Sequence, residues 1–175
     1  YVAFLLLATT GIRRGEVLAL RARDIDIENK SITIEQNLTY SNGRLNIGSV
    51  KATHSYRTLP IPKLVIPELT KLVAGKNPDD LIFKTSRGNP IMPKNLGQSF
   101  KSLAQQMERK GHPRITLHGL RHTFATLLIE DGTPINIVSA LLGHYDPGFT
   151  WQTYVQTSDD ALKKASENVN KIVGK

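Results

Sequence analysis

The 175-residue sequence is 39% hydrophobic, enough for one globular domain with a full core, and its 23 Lys and Arg against 15 Asp and Glu give a net charge of +8. That excess points to a polyanionic partner, either nucleic acid or an acidic membrane surface. Cysteine is absent, which excludes disulfide frameworks, thiolate zinc sites and cysteine nucleophiles and fits a reducing, intracellular compartment.

The chain opens on YVAFLLLATTG, an apolar helix too short to cross a bilayer and lacking the charged front of a signal peptide. Tyr1 enters it with no capping residue before it, so a longer protein with its missing part on the amino side is expected. RRGEVLALRARD reads as a second short helix, and the break between the two holds TGIRRGE. From Ile25 to Ile61 the pattern alternates: KSITIEQNLTY, RLNIGSV and RTLPI read as three antiparallel strands, with Asn42-Gly43 at the first turn and KATHSY, carrying Lys51, at the second. KLVIPELTKLVAG resumes helical spacing around Pro67. NPDD and TSRGNPIMP are turns, and PKNLGQSFKSLAQQMERKG is an amphipathic helix ending at Gly111. LHGLRHTFATLLIEDG and TPINIVSALLGH give two more helices, YDPGFTWQTYVQ reads as a link, and SDDALKKASENVNKIV as a polar terminal helix. The fold class is α+β, mainly α: one domain over residues 1–175 with one small three-stranded antiparallel sheet.

In LHGLRHTFATLL, His118 and Arg121 stand three apart on one side of a helix, at the end where its dipole repels cations. Either they form a solvated face or the helix tip holds an anion, for which backbone N–H groups and preorganised guanidinium and imidazole donors are suited. Alone the pair does not choose between these, because charged side chains are mostly solvated. Arg13 lies in the break between the first helices, with Glu16 three residues on to brace it. Lys51 stands on a hairpin turn, His144 follows LLG at a helix end, and Tyr154 lies in the link beyond. Each has a plainer reading: a surface ion pair, a solvated lysine, a dipole partner, a packing tyrosine. Breaking a phosphodiester without a metal needs donors for the non-bridging oxygens, a nucleophile and an acid for the leaving oxygen, and this set offers a candidate for each. Tyr145 is a lesser rival nucleophile because it abuts His144. No carboxylate or cysteine cluster of metal-ligand type appears in the sequence, so neither a metal nor another cofactor is expected.

Taken in order, TGIRRGE, KATHSYRTLPI, LHGLRHTFATLL and LLGHYDPGFTWQTY resemble the tyrosine recombinase family, the integrases of phages and conjugative transposons. The resemblance implies a catalytic domain in which Arg13, Lys51, His118, Arg121 and His144 surround the scissile phosphate and Glu16 supports Arg13. Tyr154 would attack to form a 3′-phosphotyrosyl link and free a 5′-hydroxyl, with Lys51 protonating the leaving oxygen and no ATP or metal required. It further implies integration or excision of a mobile element through a Holliday junction, in a cytoplasmic homotetramer on double-stranded DNA attachment sites, with no membrane partner. The family's amino-terminal core-binding domain is absent from this sequence, so the isolated chain is expected to be a monomer that binds DNA weakly. In relatives a tail like residues 158–175 docks on a neighbouring subunit. Gln156 departs from the histidine of many relatives, outside the catalytic set. Arg57, Lys84 and Lys94 are expected as DNA phosphate contacts. Two alternatives remain: a type IB topoisomerase, which reseals the same strands, and a non-catalytic DNA-binding regulator in which His118 and Tyr154 are structural and no covalent species forms.

Overall fold

The computed structural model describes residues 1–50, 55–144 and 146–154. Within them the chain runs α1 (Val2–Thr10), α2 (Arg14–Ala19), β1 (Ile25–Asp26), β2 (Ser31–Ile34), β3 (Gln36–Ser41), β4 (Arg44–Ser49), β5 (Arg57–Pro60), α3 (Ile66–Val73), α4 (Pro93–Arg109), α5 (Leu117–Glu130), α6 (Ile135–Leu142) and α7 (Pro147–Tyr154). The mainly helical α+β class expected from the sequence is the one found, and the terminal polar helix lies outside the described residues.

Helix α1 carries apolar residues around its whole circumference because it runs through the core, where Leu6 and Leu7 meet Val17 and Leu18 of α2 and Ile32 and Ile34 of β2. Each such side chain contributes about 1.5–3 kcal/mol on burial. Helix α4 buries a single stripe instead: Leu96, Phe100 and Ala104 recur every fourth residue, and Phe100 meets Phe4 edge-on at 5.3 Å. Gly11 ends α1 at φ 64°, and a Cβ there would run into the Phe124 ring of α5. That close approach brings α5 against the carboxyl end of α1, which matters for the site below.

The sheet differs from the expected three consecutive strands. The long run from Lys30 to Tyr40 breaks at Glu35 into β2 and β3. Strand β2 pairs antiparallel with β1 and β5, in register Ile32↔Leu59, to give a three-stranded sheet ordered β1-β2-β5. Strand β3 pairs with β4 in a separate ribbon closed by Asn42-Gly43, in register Ser41↔Arg44. Burial explains the split. Ile32 and Ile34 alternate into the core, whereas beyond Leu38 strand β3 is exposed and the ribbon reaches the core only through the half-buried Leu45 and Ile47.

The stretch expected as a link is a helix, α7. Asp146 starts it by accepting Gly148 N–H on its side chain at 2.7 Å, and Pro147 occupies the first turn, where its missing N–H leaves no bond unmade. An Asp-Pro pair is a helix-start signal, here set among glycine and aromatic residues that read as a link.

Candidate active site

Helices α1, α2, α4, α5 and α7, strand β3 and His144 just beyond α6 leave between them a cleft of 710 Å³. Arg13, His118, Arg121 and His144 all line it, and so do Phe149 and Thr153 of α7.

Arg121 is buried, 6% exposed, at the amino end of α5, where the helix dipole disfavours it. Its guanidinium is compensated by the opposite ends of two other helices. Nη1 donates to the Gly11 carbonyl that ends α1 at 2.6 Å, and Nη2 donates to the Leu142 carbonyl that ends α6 at 2.7 Å. The carboxyl ends of helices carry negative partial charge, so the cation sits where two dipoles favour it. Nη2 also lies 2.9 Å from His144 Nε2. The amino end of α5 itself is capped by Thr116 Oγ1, which accepts Gly119 N–H at 2.9 Å.

The end of α6 organises three arginines through three successive carbonyls. Leu141 accepts from Arg57 Nε at 2.8 Å, Leu142 from Arg121, and Gly143 from Arg13 Nη2 at 3.0 Å. Gly143 terminates α6 at φ 65°, a left-handed conformation, and a Cβ there would stand 2.8 Å from Arg57 Nη1.

Glu16 is the anionic counterweight. Its carboxylate accepts from Arg13 Nη1 at 2.9 Å and from the Arg13 backbone N–H at 2.9 Å, and it meets Arg57 Nη2 at 2.8 Å and Nη1 at 3.2 Å. Burial alone would raise its pKa, but the Arg57 and Arg13 guanidinium groups outweigh that and hold it below the ordinary carboxylate range. The brace between Glu16 and Arg13 expected from their spacing is present.

Arg57, expected as a DNA phosphate contact, lies inside the protein. It is 9% exposed, and its guanidinium binds Glu16, the Leu141 carbonyl and the Ser55 carbonyl. It is an internal strut beneath the cleft, a role hidden from the sequence because both Glu16 and Leu141 are distant along the chain. Lys84 is exposed beside Asp80, at 3.9 Å, away from the cleft. Lys94 is exposed at the start of α4, beside a shallower groove shared with Arg14 and Lys101.

His144 is partly buried between α5 and α7. Burial first, then the Arg121, Arg13 and Arg57 charges, push its pKa down to about 4, so it is neutral at pH 7. His118 stands exposed at the cleft rim. Lys51 lies outside the described residues, as do Tyr145 and residues 158–175. Tyr154 is the last residue of α7. Among the described residues, no group of three or more His, Asp or Glu side chains could hold a metal ion.

Sequence reasoning missed Thr150, a fully buried polar residue of α7 whose Oγ1 lies 2.8 Å from His144 Nδ1. Its position four residues before Tyr154 was a visible signal of a shared helix side.

A cleft lined by Arg13, Arg121, His118 and His144 on a mainly helical scaffold is a site for a phosphate group. The phage integrase family model matches residues 1–161, and the chain belongs to that family. It is 32% identical to the tyrosine recombinase XerC-like protein of Caldanaerobacter subterraneus subsp. tengcongensis, over 97% of this chain and 48% of that protein. It is 30% identical to the tyrosine recombinase XerA of Pyrococcus furiosus, over 95% of this chain and 53% of that protein. The chain thus spans about half the length of these curated relatives. The fold matches the Tn1549 transposon integrase solved with circular intermediate DNA, at a TM-score of 0.84 and 22% identity, over 97% of this chain and 59% of that one. A crystal structure of XerA recombinase matches at 0.69 and 23% identity, over 93% and 54%. Among the described residues no helix is long and apolar enough to cross a membrane.

Proposed function

We propose that this chain is the catalytic domain of a site-specific DNA recombinase, cytoplasmic, which acts on double-stranded attachment sites as a homotetramer to integrate or excise a mobile element. The observation that carries the reading is the meeting of Arg13, His118, Arg121 and His144, from separate segments of the chain, in one cleft whose arginines are held in place by protein acceptors before any ligand arrives. Donors fixed in advance stabilise charge that develops on a phosphate without reorganising at the moment of reaction.

In this mechanism Arg13 and Arg121 bind the non-bridging oxygens, each keeping its charge at any working pH. His144 and His118 complete the cradle, and His118 takes the phenol proton as the Tyr154 oxygen attacks phosphorus. The bond to the 5′-oxygen breaks, Lys51 protonates that oxygen, and a 3′-phosphotyrosyl link remains. A 5′-hydroxyl from a second strand reverses the step, and two such exchanges pass through a Holliday junction. The ester energy is conserved in the covalent link, so the step uses neither ATP nor metal, and a chelator leaves it unchanged.

A nicked duplex that loses its 5′-fragment on cleavage tests the reading by trapping protein on DNA. The adduct is expected with the full-length protein and absent with Tyr154→Phe; an adduct that survives Tyr154→Phe overturns the assignment. Lys51→Ala should regain cleavage on a duplex with sulfur in place of the bridging 5′-oxygen, since that leaving group needs no proton.

A further inference from the structure

Among the described residues, helix α7 meets the rest of the cleft through a buried polar contact at Thr150. Thr150 is 0% exposed. His144 lies between it and Arg121, with Nδ1 2.8 Å from Thr150 Oγ1 and Nε2 2.9 Å from Arg121 Nη2. A guanidinium has donors only, so Nε2 must be the acceptor. The proton of the neutral ring therefore sits on Nδ1, and Thr150 Oγ1 accepts it. The Phe149 ring holds the imidazole edge-on at 5.0 Å and 87°. Valine, nearly the same volume as threonine, would fill the space under α7 as well. What the hydroxyl adds is direction, because a hydrogen bond fixes the rotation and height of α7 against the imidazole where apolar packing alone does not. Four residues after Thr150, one helical turn on, α7 ends at Tyr154.

We propose that Thr150 is a positioning residue: by accepting the His144 Nδ1 proton it docks α7 on the arginine clamp and delivers the end of the helix that bears Tyr154. The proposal rests on the reading of Tyr154 as nucleophile. It also gives the site a coupling between ligand and nucleophile. Burial and the charges of Arg121 on α5, Arg13 before α2 and Arg57 on β5 keep the ring neutral. A bound phosphate opposes those charges and favours the imidazolium, in which both nitrogens donate. Nε2 then turns from Arg121 to a phosphate oxygen, while Nδ1 keeps Thr150 through a charge-assisted and stronger bond. Phosphate binding and α7 docking thereby favour each other.

The experiment separates delivery of the phenol from activation of the phosphate. On the nicked duplex, Thr150→Val should slow formation of the tyrosyl adduct by about tenfold or more, the loss expected for one hydrogen bond to a charged group, and Thr150→Ser should restore most of the rate. In the Tyr154→Phe background, hydrogen peroxide supplies the nucleophile from solution: its oxygen attacks phosphorus and the 5′-hydroxyl leaves. There Thr150→Val should change cleavage by no more than about threefold, because Arg13, Arg121 and His118 remain. Equal losses in both arms, or no loss in either, overturn the proposal. Hydrogen exchange over residues 147–154 reads the same tie without chemistry. Thr150→Val should speed exchange there and leave α1 and α5 unchanged, and unchanged exchange in α7 also overturns it. A full-length protein that forms no adduct at all would instead sink the recombinase reading, and the exchange measurement would still decide the role of Thr150.

Discussion

Along and beneath the inner wall of the cleft, Arg57, Arg121 and Arg13 direct donors at helix-end carbonyls and the Glu16 carboxylate, whereas on the outer side Arg14, Lys94 and Lys101 stand exposed. Both regions are basic, yet they obey different physics. The inner guanidinium groups are held by fixed protein acceptors, with Arg57 and Arg121 out of water and Arg13 half-exposed, so they belong to the fold as much as to the site, and changes there remove stability and function together. The outer cations keep their water and act on a polyanion through long-range attraction and counterion release, so changes there alter binding alone.

The sharpest break of this contrast is Glu16→Ala. It leaves the Arg57 charge buried without its carboxylate, which should cost about 3–5 kcal/mol in urea unfolding. Replacing both partners, Glu16→Leu with Arg57→Met, should return most of that stability without returning adduct formation, since Arg13 still lacks its brace. A double variant that recovers both would mean the pair serves stability only. Gly143→Ala is the next largest. It asks a residue with a Cβ to hold φ 65° with that Cβ 2.8 Å from Arg57 Nη1, and should cost about 2 kcal/mol by the same measurement.

Acid sharpens the comparison from another side. The folded chain holds His144 down at about 4, while the unfolded chain titrates near the ordinary histidine value of about 6.5. Between those values the unfolded state binds more protons, so this histidine makes stability fall as pH drops from about 6.5 toward about 4. His144→Gln should flatten that part of the stability profile, and an NMR titration should show the His144 pKa rising when a DNA duplex is bound. The smallest effects on folding belong to the rim. Arg14→Ala and Lys101→Ala should each change stability by no more than about 0.5 kcal/mol. In a salt titration of DNA binding, removing a cation that neutralises one phosphate should make the slope shallower by about one.

Much of this was legible along the chain. The 3.6-residue period and the stop at Gly111 marked α4, the apolar run with Gly11 marked α1, and Asn42-Gly43 marked the ribbon turn. Arg13 with Glu16, and His118 with Arg121, were visible as residues three apart, and their spacing alone raised the question of an anion. The break at Glu35 and the exchange of strand partners were not legible, because alternation tells which face is apolar and not which strand will lie beside it. Arg57 shows the same limit. As a strand-borne arginine in a basic sequence it suggested a DNA contact, but Glu16 and Leu141, which hold it, stand 41 and 84 positions away, on α2 and α6.

The sequence by itself determined most of the helices, the positive charge and the family, because periodicity, capping residues and motif order are local properties that survive without coordinates. Tertiary structure alone decided which cations face inward, that three arginines share the end of α6, and that His144 is a neutral link between Arg121 and Thr150. Those outcomes depend on distances between residues remote in the chain, and a side chain's charge state and partners follow from what the fold brings within a few ångströms of it.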